Sequence, residues 1–411
     1  MDRKILHIDL NNFYASVECL YNPALKTMPV AVAGNPENRH GIILAKNMPA
    51  KLLGVKTGEA IWQAKQKVPN LICVPPHFDK YLRFSRSAKA IYSRYTEQIE
   101  PFGIDECWLD ITGSEKLFGP QIAENISAAI KSELGLTVSI GVSWNKIFAK
   151  FGSDYKKPDA ITRITRENYQ NIIWNKPVSD LLYVGRSTGK KLNSRAIYTI
   201  RDLALRDPKS LTLLLGKWGQ VLSDFARGLD TSPVRRADER SCIKSIGNGT
   251  TTPRDISTPA EAKLVFTVLA ESIAARLREQ YLKAGGVAIY LRDNALTSFS
   301  RQKHLEQYSF CSEDFLKAAM ELLYNNYPFT RPLRSISLQA IDLVTADTCT
   351  QLSLFEKDNT TKKENLEHTI DTLRRRFGHA AICRASTMLD STLTNFSPKE
   401  DHVIHPVSYF R

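Results

Sequence analysis

Residues 4–10 (Lys-Ile-Leu-His-Ile-Asp-Leu) are apolar apart from a histidine and an aspartate after the first lysine, which predicts a short buried strand. Asn11 or Asn12 can cap a following helix that carries Phe13 and Val17 one turn apart. Apolar runs at 29–33 and 41–45, bounded by Pro and Gly, predict two more strands. Asn47, Pro49 and Gly54 mark the cap, first turn and stop of a short helix. A helix over 58–67 and a strand over 71–75 come next. Phe84, Ala88, Ile91 and Tyr95 step by four, three and four, predicting a helix over 78–98 with that face inward. Two β runs lie around Gly103 within 100–112. Helices over 119–133 and 145–152 and strands over 137–142 and 160–164 complete a sheet with helices expected on one face.

Residues 166–232 contain no convincing strand, only short helices joined by Gly-containing turns. A basic, loop-like stretch at 233–246 runs into a strand. Helix patterns at 259–283 and 312–325 and β runs at 286–292 and 334–344 then describe a second, smaller α+β domain. From 346 the chain is polar apart from Gln351-Leu352-Ser353-Leu354-Phe355 and a helical pattern through Leu366, Ile370, Leu373 and Phe377, stopped by Gly378. The other face of that helix holds Arg374, Arg375 and Arg376, and the pattern leaves open whether it packs on the preceding domain or meets an outside partner. The fold class is α+β, multidomain.

The 411 residues suit two to four domains. At 43% hydrophobic and 24% charged, wholesale disorder is excluded. The net charge of +13 favours a polyanionic partner, nucleic acid or an acidic membrane surface. No apolar run approaches the ~20 residues of a membrane span, and the opening residues lack a signal-peptide core, so a cytoplasmic location and no membrane partner are expected. The seven scattered cysteines include no Cys-x-x-Cys pair, so neither a disulfide framework nor a zinc site is expected.

An unpaired carboxylate inside an apolar strand is costly, so Asp9 needs a cation, supplied by a salt bridge or by a metal. Asp105 and Glu106 are adjacent acids among apolar and aromatic residues. A solvated hairpin would accommodate them, whereas a kink at Gly103 would let both reach one ion. Three clustered carboxylates repel unless hard cations neutralise them, and oxygen-only ligation suits Mg²⁺. In a basic protein that combination points to two-metal phosphoryl chemistry on nucleic acid.

Four segments, in order, carry a resemblance to a known family: Ile8-Asp9-Leu10-Asn11-Asn12-Phe13-Tyr14-Ala15-Ser16-Val17-Glu18; Gly103-Ile104-Asp105-Glu106-Cys107-Trp108-Leu109-Asp110; Gly141-Val142-Ser143-Trp144-Asn145-Lys146-Ile147-Phe148-Ala149-Lys150 with Lys157-Pro158; and Lys244-Ser245-Ile246-Gly247 with Pro253-Arg254-Asp255. Together they resemble the Y-family translesion DNA polymerases of the bacterial UmuC and DinB (DNA polymerase IV) type, with Gly103 where that family usually has Ser. The resemblance implies a right-hand-like polymerase: palm at 1–10 and 75–165, small fingers at 11–74, a helical thumb at 166–232, a little finger at 233–345 and a tail at 346–411.

It further implies low-fidelity, template-directed synthesis past damage, of the SOS type. Asp9, Asp105 and Glu106 would be catalytic and would hold two Mg²⁺ ions, with the Leu10 carbonyl as an extra ligand. Tyr14 would be the steric gate against a 2′-hydroxyl. Phe13, Tyr14, Lys51 and Lys157 would bind the incoming dNTP, although Asn47-Met48-Pro49-Ala50-Lys51 replaces the usual Tyr-x-x-Arg, leaving a point charge without the arginine fork.

Residues 183–203 resemble a helix-hairpin-helix in which Tyr183 and Ala196 replace usual glycines. Gly185, Arg186, Lys190 and Lys191, with Lys244, Arg254, Arg292 and Arg301, would follow the backbone of primer-template DNA. Gln351, Leu352, Ser353, Leu354 and Phe355 resemble the peptide that bacterial replication proteins insert into the β sliding clamp. The chain is expected to be a monomer; UmuD-like or recombinase partners are left open. The competing readings are a non-catalytic DNA- and clamp-binding repair scaffold, and a metal nuclease or nucleotide cyclase on a similar palm.

Overall fold

A computed structural model of the chain describes residues 2–35, 41–113, 119–239, 242–348 and 360–398. The backbone divides into two units, one holding Met1–Gly34 and Ile42–Arg240, the other Ser241–His405.

In the first unit the apolar run becomes strand β1 (Ile5–Leu10), fully buried and central in a five-stranded sheet. Its sheet partners are β5 (Ile99–Pro101), β6 (Glu106–Asp110), β7 (Val138–Ser143) and β8 (Ile161–Arg163), in the order β5-β6-β1-β7-β8. Both neighbours of β1 run antiparallel to it.

Side chains alternate across a strand. Leu6, Ile8 and Leu10 enter a core with Val17, Tyr81, Ala88, Ile91, Ile122 and Ile126 from three helices. The opposite face, carrying Ile5, His7 and Asp9, is also covered, by the helix Lys146–Tyr155. The expectation of helices on one face is therefore corrected. The close approach needs glycine: a Cβ on Gly141 would lie 1.9 Å from the Ala149 carbonyl oxygen.

Two local expectations also change. Asn12 begins the first helix in a left-handed conformation (φ 50°), and its side chain makes no capping bond. The helix expected to reach residue 98 ends at Tyr92 and buries Tyr81, Ser85, Ala88, Ile91 and Tyr92, leaving Phe84 and Tyr95 only partly covered.

The smaller sheet has β2 (Val30–Ala33) between β3 (Ile43–Lys46) and β4 (Ile72–Val74). Asn47 caps the helix Met48–Leu52 by accepting from Ala50 N–H at 3.1 Å, and the same oxygen accepts from Val30 N–H at 3.0 Å, tying helix to sheet. Short helices between 186 and 226 pack against Trp144, Phe148 and Phe151, so the helix Lys146–Tyr155 serves two cores.

The second unit is a four-stranded antiparallel sheet of β9 (Ile246–Ile256), β10 (Leu282–Asp293), β11 (Ser298–Ser309) and β12 (Leu333–Thr345), in the order β11-β10-β12-β9. The helices Pro259–Glu279 and Ser312–Asn326 supply its apolar core. The tail helix Thr360–Phe377 lies against them. Among the described residues no helix is long and apolar enough to cross a membrane.

Candidate active site

The site grows from strand register. Asp9 on β1 lies directly opposite Glu106 on β6, and His7 opposite Trp108. Directly opposed residues share a face, so these side chains lie together on the face covered by the helix Lys146–Tyr155. Asp105 sits just before β6, after Gly103, whose positive φ (101°) makes the kink that a Cβ would strain. Its carbonyl accepts from Leu10 N–H at 3.1 Å, which joins the two acidic segments.

Asn145 caps the covering helix, accepting from Phe148 N–H at 2.8 Å, and so sets which side chains face the acids. Lys150 Nζ lies 2.8 Å from Glu106 Oε2, 3.7 Å from Asp9 Oδ2 and 3.2 Å from Asp154 Oδ2. Lys157 Nζ donates to Asp9 Oδ2 and lies 2.7 Å from Asp154 Oδ1. His7 is wholly buried: Nδ1 is 2.8 Å from Ser153 Oγ and Nε2 is 3.3 Å from Glu106 Oε2.

Burial, then the charge of Glu106, raises the pKa of Asp9. Burial, then Glu106 and Asp9, pushes Asp105 up to about 6. Burial opposes the charge on Lys150, but Glu106, Asp154 and Asp9 raise its pKa overall. Lys157 is likewise raised by Asp9 and Asp154 against burial. Burial drives His7 well below its usual value, so the ring stays neutral.

Four carboxylates (Asp9, Asp105, Glu106, Asp154) face two ammoniums, leaving two negative charges when all are ionised. That surplus, borne by oxygen donors, matches a hard divalent cation. Among the described residues no three acidic, cysteine or histidine side chains already converge as ready ligands. The lysines stand between the acids instead. His7, Lys150 and Asp154 belong to the site without any local pattern that gives them a role there. The i, i+4 spacing of Lys150 and Asp154 was the available signal, but their partners depend on how the helix docks.

Tyr14 lies on the first helix, Phe13–Tyr21. Its ring stacks parallel on Tyr81 (4.4 Å, 5°), meets Phe78 edge-on at 6.1 Å and tilts against Phe13 at 5.8 Å. Burial, then the Asp105 charge, pushes its phenol up to about 12, keeping it neutral. Phe13 is buried in the core, and Lys51 is exposed in the last turn of Met48–Leu52.

Gly185 is the N-cap of the helix Arg186–Asn193; Arg186, Lys190 and Lys191 are exposed on it. In the second unit Lys244 and Arg301 are exposed and Arg292 is half-buried. Arg301 bonds Asn326 Oδ1 at 3.1 Å. Arg254 is held by Glu261 at 2.7 Å and by Asp390 at 2.5 Å. Gln351, Leu352, Ser353, Leu354 and Phe355 lie outside the described residues.

The sequence pattern of the impB/mucB/samB family matches residues 8–154, and that of the family's C-terminal domain matches residues 243–354. DNA polymerase IV of Acetivibrio thermocellus is 48% identical over 396 residues, covering 96% of this chain and 99% of that protein. DNA polymerase IV 1 of Bacillus subtilis is 36% identical over 390 residues, covering 94% of this chain and 93% of that protein. Among solved structures, a Y-family DNA polymerase chimera of Dbh and Dpo4 shares the fold at a TM-score of 0.73 and 24% identity, covering 83% of this chain and 99% of that one. With matches that extend over nearly its whole length, the chain belongs to the Y-family DNA polymerases, in their DinB-like impB/mucB/samB group.

Proposed function

We propose that the protein is a DNA-directed DNA polymerase that copies damaged templates, and that the observation carrying this reading is the direct pairing of Asp9 with Glu106 beside Asp105. Family membership entails a divalent metal. Asp9, Asp105, Glu106 and the Leu10 carbonyl would hold two Mg²⁺ ions, which supply charge neutralisation at the reacting phosphate and lower the pKa of the primer 3′-hydroxyl. Glu106 orients that hydroxyl, and Tyr14 fills the space a ribose 2′-hydroxyl would need. Lys51 and Lys157 draw in the triphosphate, Lys157 by turning from Asp9 toward the new negative charge. Phe13 presents the opening backbone N–H groups of its helix to the phosphates.

In this reading residues 1–10 and 75–165 form the palm, 11–74 the fingers, 166–232 the thumb, 233–345 the little finger and 346–411 a tail. Primer-template DNA is bound through phosphate contacts by Gly185, Arg186, Lys190, Lys191, Lys244, Arg292 and Arg301. Arg254 joins them by exchanging a carboxylate for a phosphate. Gln351–Phe355 engages the sliding clamp of an enzyme that is otherwise monomeric.

The test is extension of a primed, lesion-bearing template with Mg²⁺, comparing the wild-type chain with Asp105→Ala. Synthesis by the former and binding without synthesis by the latter are expected. Binding without extension by the wild-type chain would favour a repair scaffold, and cleavage would favour a nuclease.

A further inference from the structure

Glu18 follows Tyr14 by one helical turn, and the residue is only 6% exposed. A carboxylate so placed needs partners, and three come from the start of the helix Phe78–Tyr92. Tyr81 donates its hydroxyl to Glu18 Oε1 at 2.6 Å, His77 Nδ1 lies 2.9 Å from the same oxygen, and Lys80 Nζ lies 3.6 Å from Oε2. Burial, then this hydrogen bond, raises the Tyr81 pKa, so the phenol remains a donor. The Tyr81 side chain is fully buried.

The ring that Glu18 fixes is the one Tyr14 rests on, parallel at 4.4 Å. Two stacked rings resist separation but slide in their common plane at little cost, because dispersion changes slowly with offset. Phe78 meets both rings edge-on (6.1 and 5.8 Å) and limits tilt, not sliding. The core encloses the Tyr81 ring, and its hydroxyl, at the far end of the ring from its Cβ, is the polar anchor of its in-plane position. Glu18 holds that hydroxyl.

We propose that Glu18 is a positioning residue for sugar selection: acting through the Tyr81 hydroxyl, it sets the depth at which the Tyr14 ring stands. This rests on the reading of Tyr14 as the gate. A loosened floor lets the ring recede, and a ribose 2′-hydroxyl is then tolerated.

The readout is the ratio of kcat/KM for a dNTP to that for the matching rNTP, with KM and kcat resolved. Glu18→Leu and Tyr81→Phe each remove the bond and are expected to lower the ratio about tenfold, mainly through a lower KM for the rNTP. Because they break one link, the double variant should lose no more than the larger single loss. Glu18→Gln keeps an acceptor and should retain most of the selectivity. A merely structural role would lower dNTP and rNTP use together and leave the ratio unmoved.

Tyr14→Ala separates the two ways of failing. If it leaves the ratio unchanged, the gate reading falls and this proposal with it. If it relaxes selection while Tyr81→Phe and Glu18→Leu do not, this proposal alone is overturned. Should Glu18→Leu fail to fold, Tyr81→Phe, which deletes one oxygen, decides the outcome by itself.

Discussion

Asp105 shows what the candidate site demands of individual residues. Burial, then its acidic neighbours, raises its pKa from 3.8 to about 6. A raised carboxyl keeps its proton longer in the folded chain than in the unfolded one, so ionising it works against folding. That penalty is absent below about pH 4, grows as pH rises toward 6, and is complete above it, at no more than about 3 kcal/mol. Asp105→Asn is therefore expected to raise the thermal midpoint at pH 7 in EDTA, to lose that advantage at pH 4, and to abolish extension. A lower midpoint at pH 7 would contradict the electrostatic account. Asp9, Asp105 and Glu106 were visible in the sequence because charge inside apolar runs is a local anomaly. His7, Lys150 and Asp154 were not, because a histidine in a strand or an acid and a lysine on a helix are unremarkable until register and docking give them partners.

Among the secondary-structure elements, the two replaced glycines of the hairpin-like segment keep the backbone that glycine would favour. Tyr183 has φ 70° and Ala196 φ 58°. The Tyr183 ring repays this strain by packing beside Trp218 (5.5 Å), whereas Ala196 is exposed. Left-handed backbone costs an L-residue roughly 1–2 kcal/mol, and glycine returns part of that as chain entropy. Ala196→Gly should therefore stabilise the protein by about 0.5–1 kcal/mol, read from chemical denaturation.

The tail helix turns Glu364, Glu367, Asp371 and Arg374 toward the rest of the second unit, while Leu366 and Phe377 are 60% and 61% exposed. Arg278 makes the central link, to Asp371 at 2.6 and 2.8 Å and to Glu367 at 2.9 Å. Losing one partner of a buried ion network leaves the others uncompensated, so Arg278→Met should destabilise the chain by about 3–5 kcal/mol in thermal unfolding. The periodicity of that helix was legible, but which face packs was not, because the decisive partner lies 93 residues away from Asp371. Strand β11 is faint in the sequence for a related reason: an edge strand with mostly exposed side chains carries little apolar signal.

For the whole molecule, the net charge of +13 bears on affinity, not on fold. If six to ten phosphates are neutralised, DNA affinity should fall by roughly 10³–10⁵ between 50 and 200 mM salt. A nearly salt-independent affinity in a titration series would refute phosphate-dominated binding. Composition, apolar periodicity and the order of four motifs were enough to establish the α+β class and the family, since each depends on residues close together along the chain. The sequence also marked Asp9, Asp105 and Glu106 as anomalies. Only the folded chain decided that Asp9 faces Glu106, that two lysines stand between the acids, that a helix covers the second face of the central sheet, and that Glu18 reaches the floor beneath Tyr14. These are contacts between segments roughly 45 to 150 residues apart, chosen by strand register and helix docking, which local pattern does not encode.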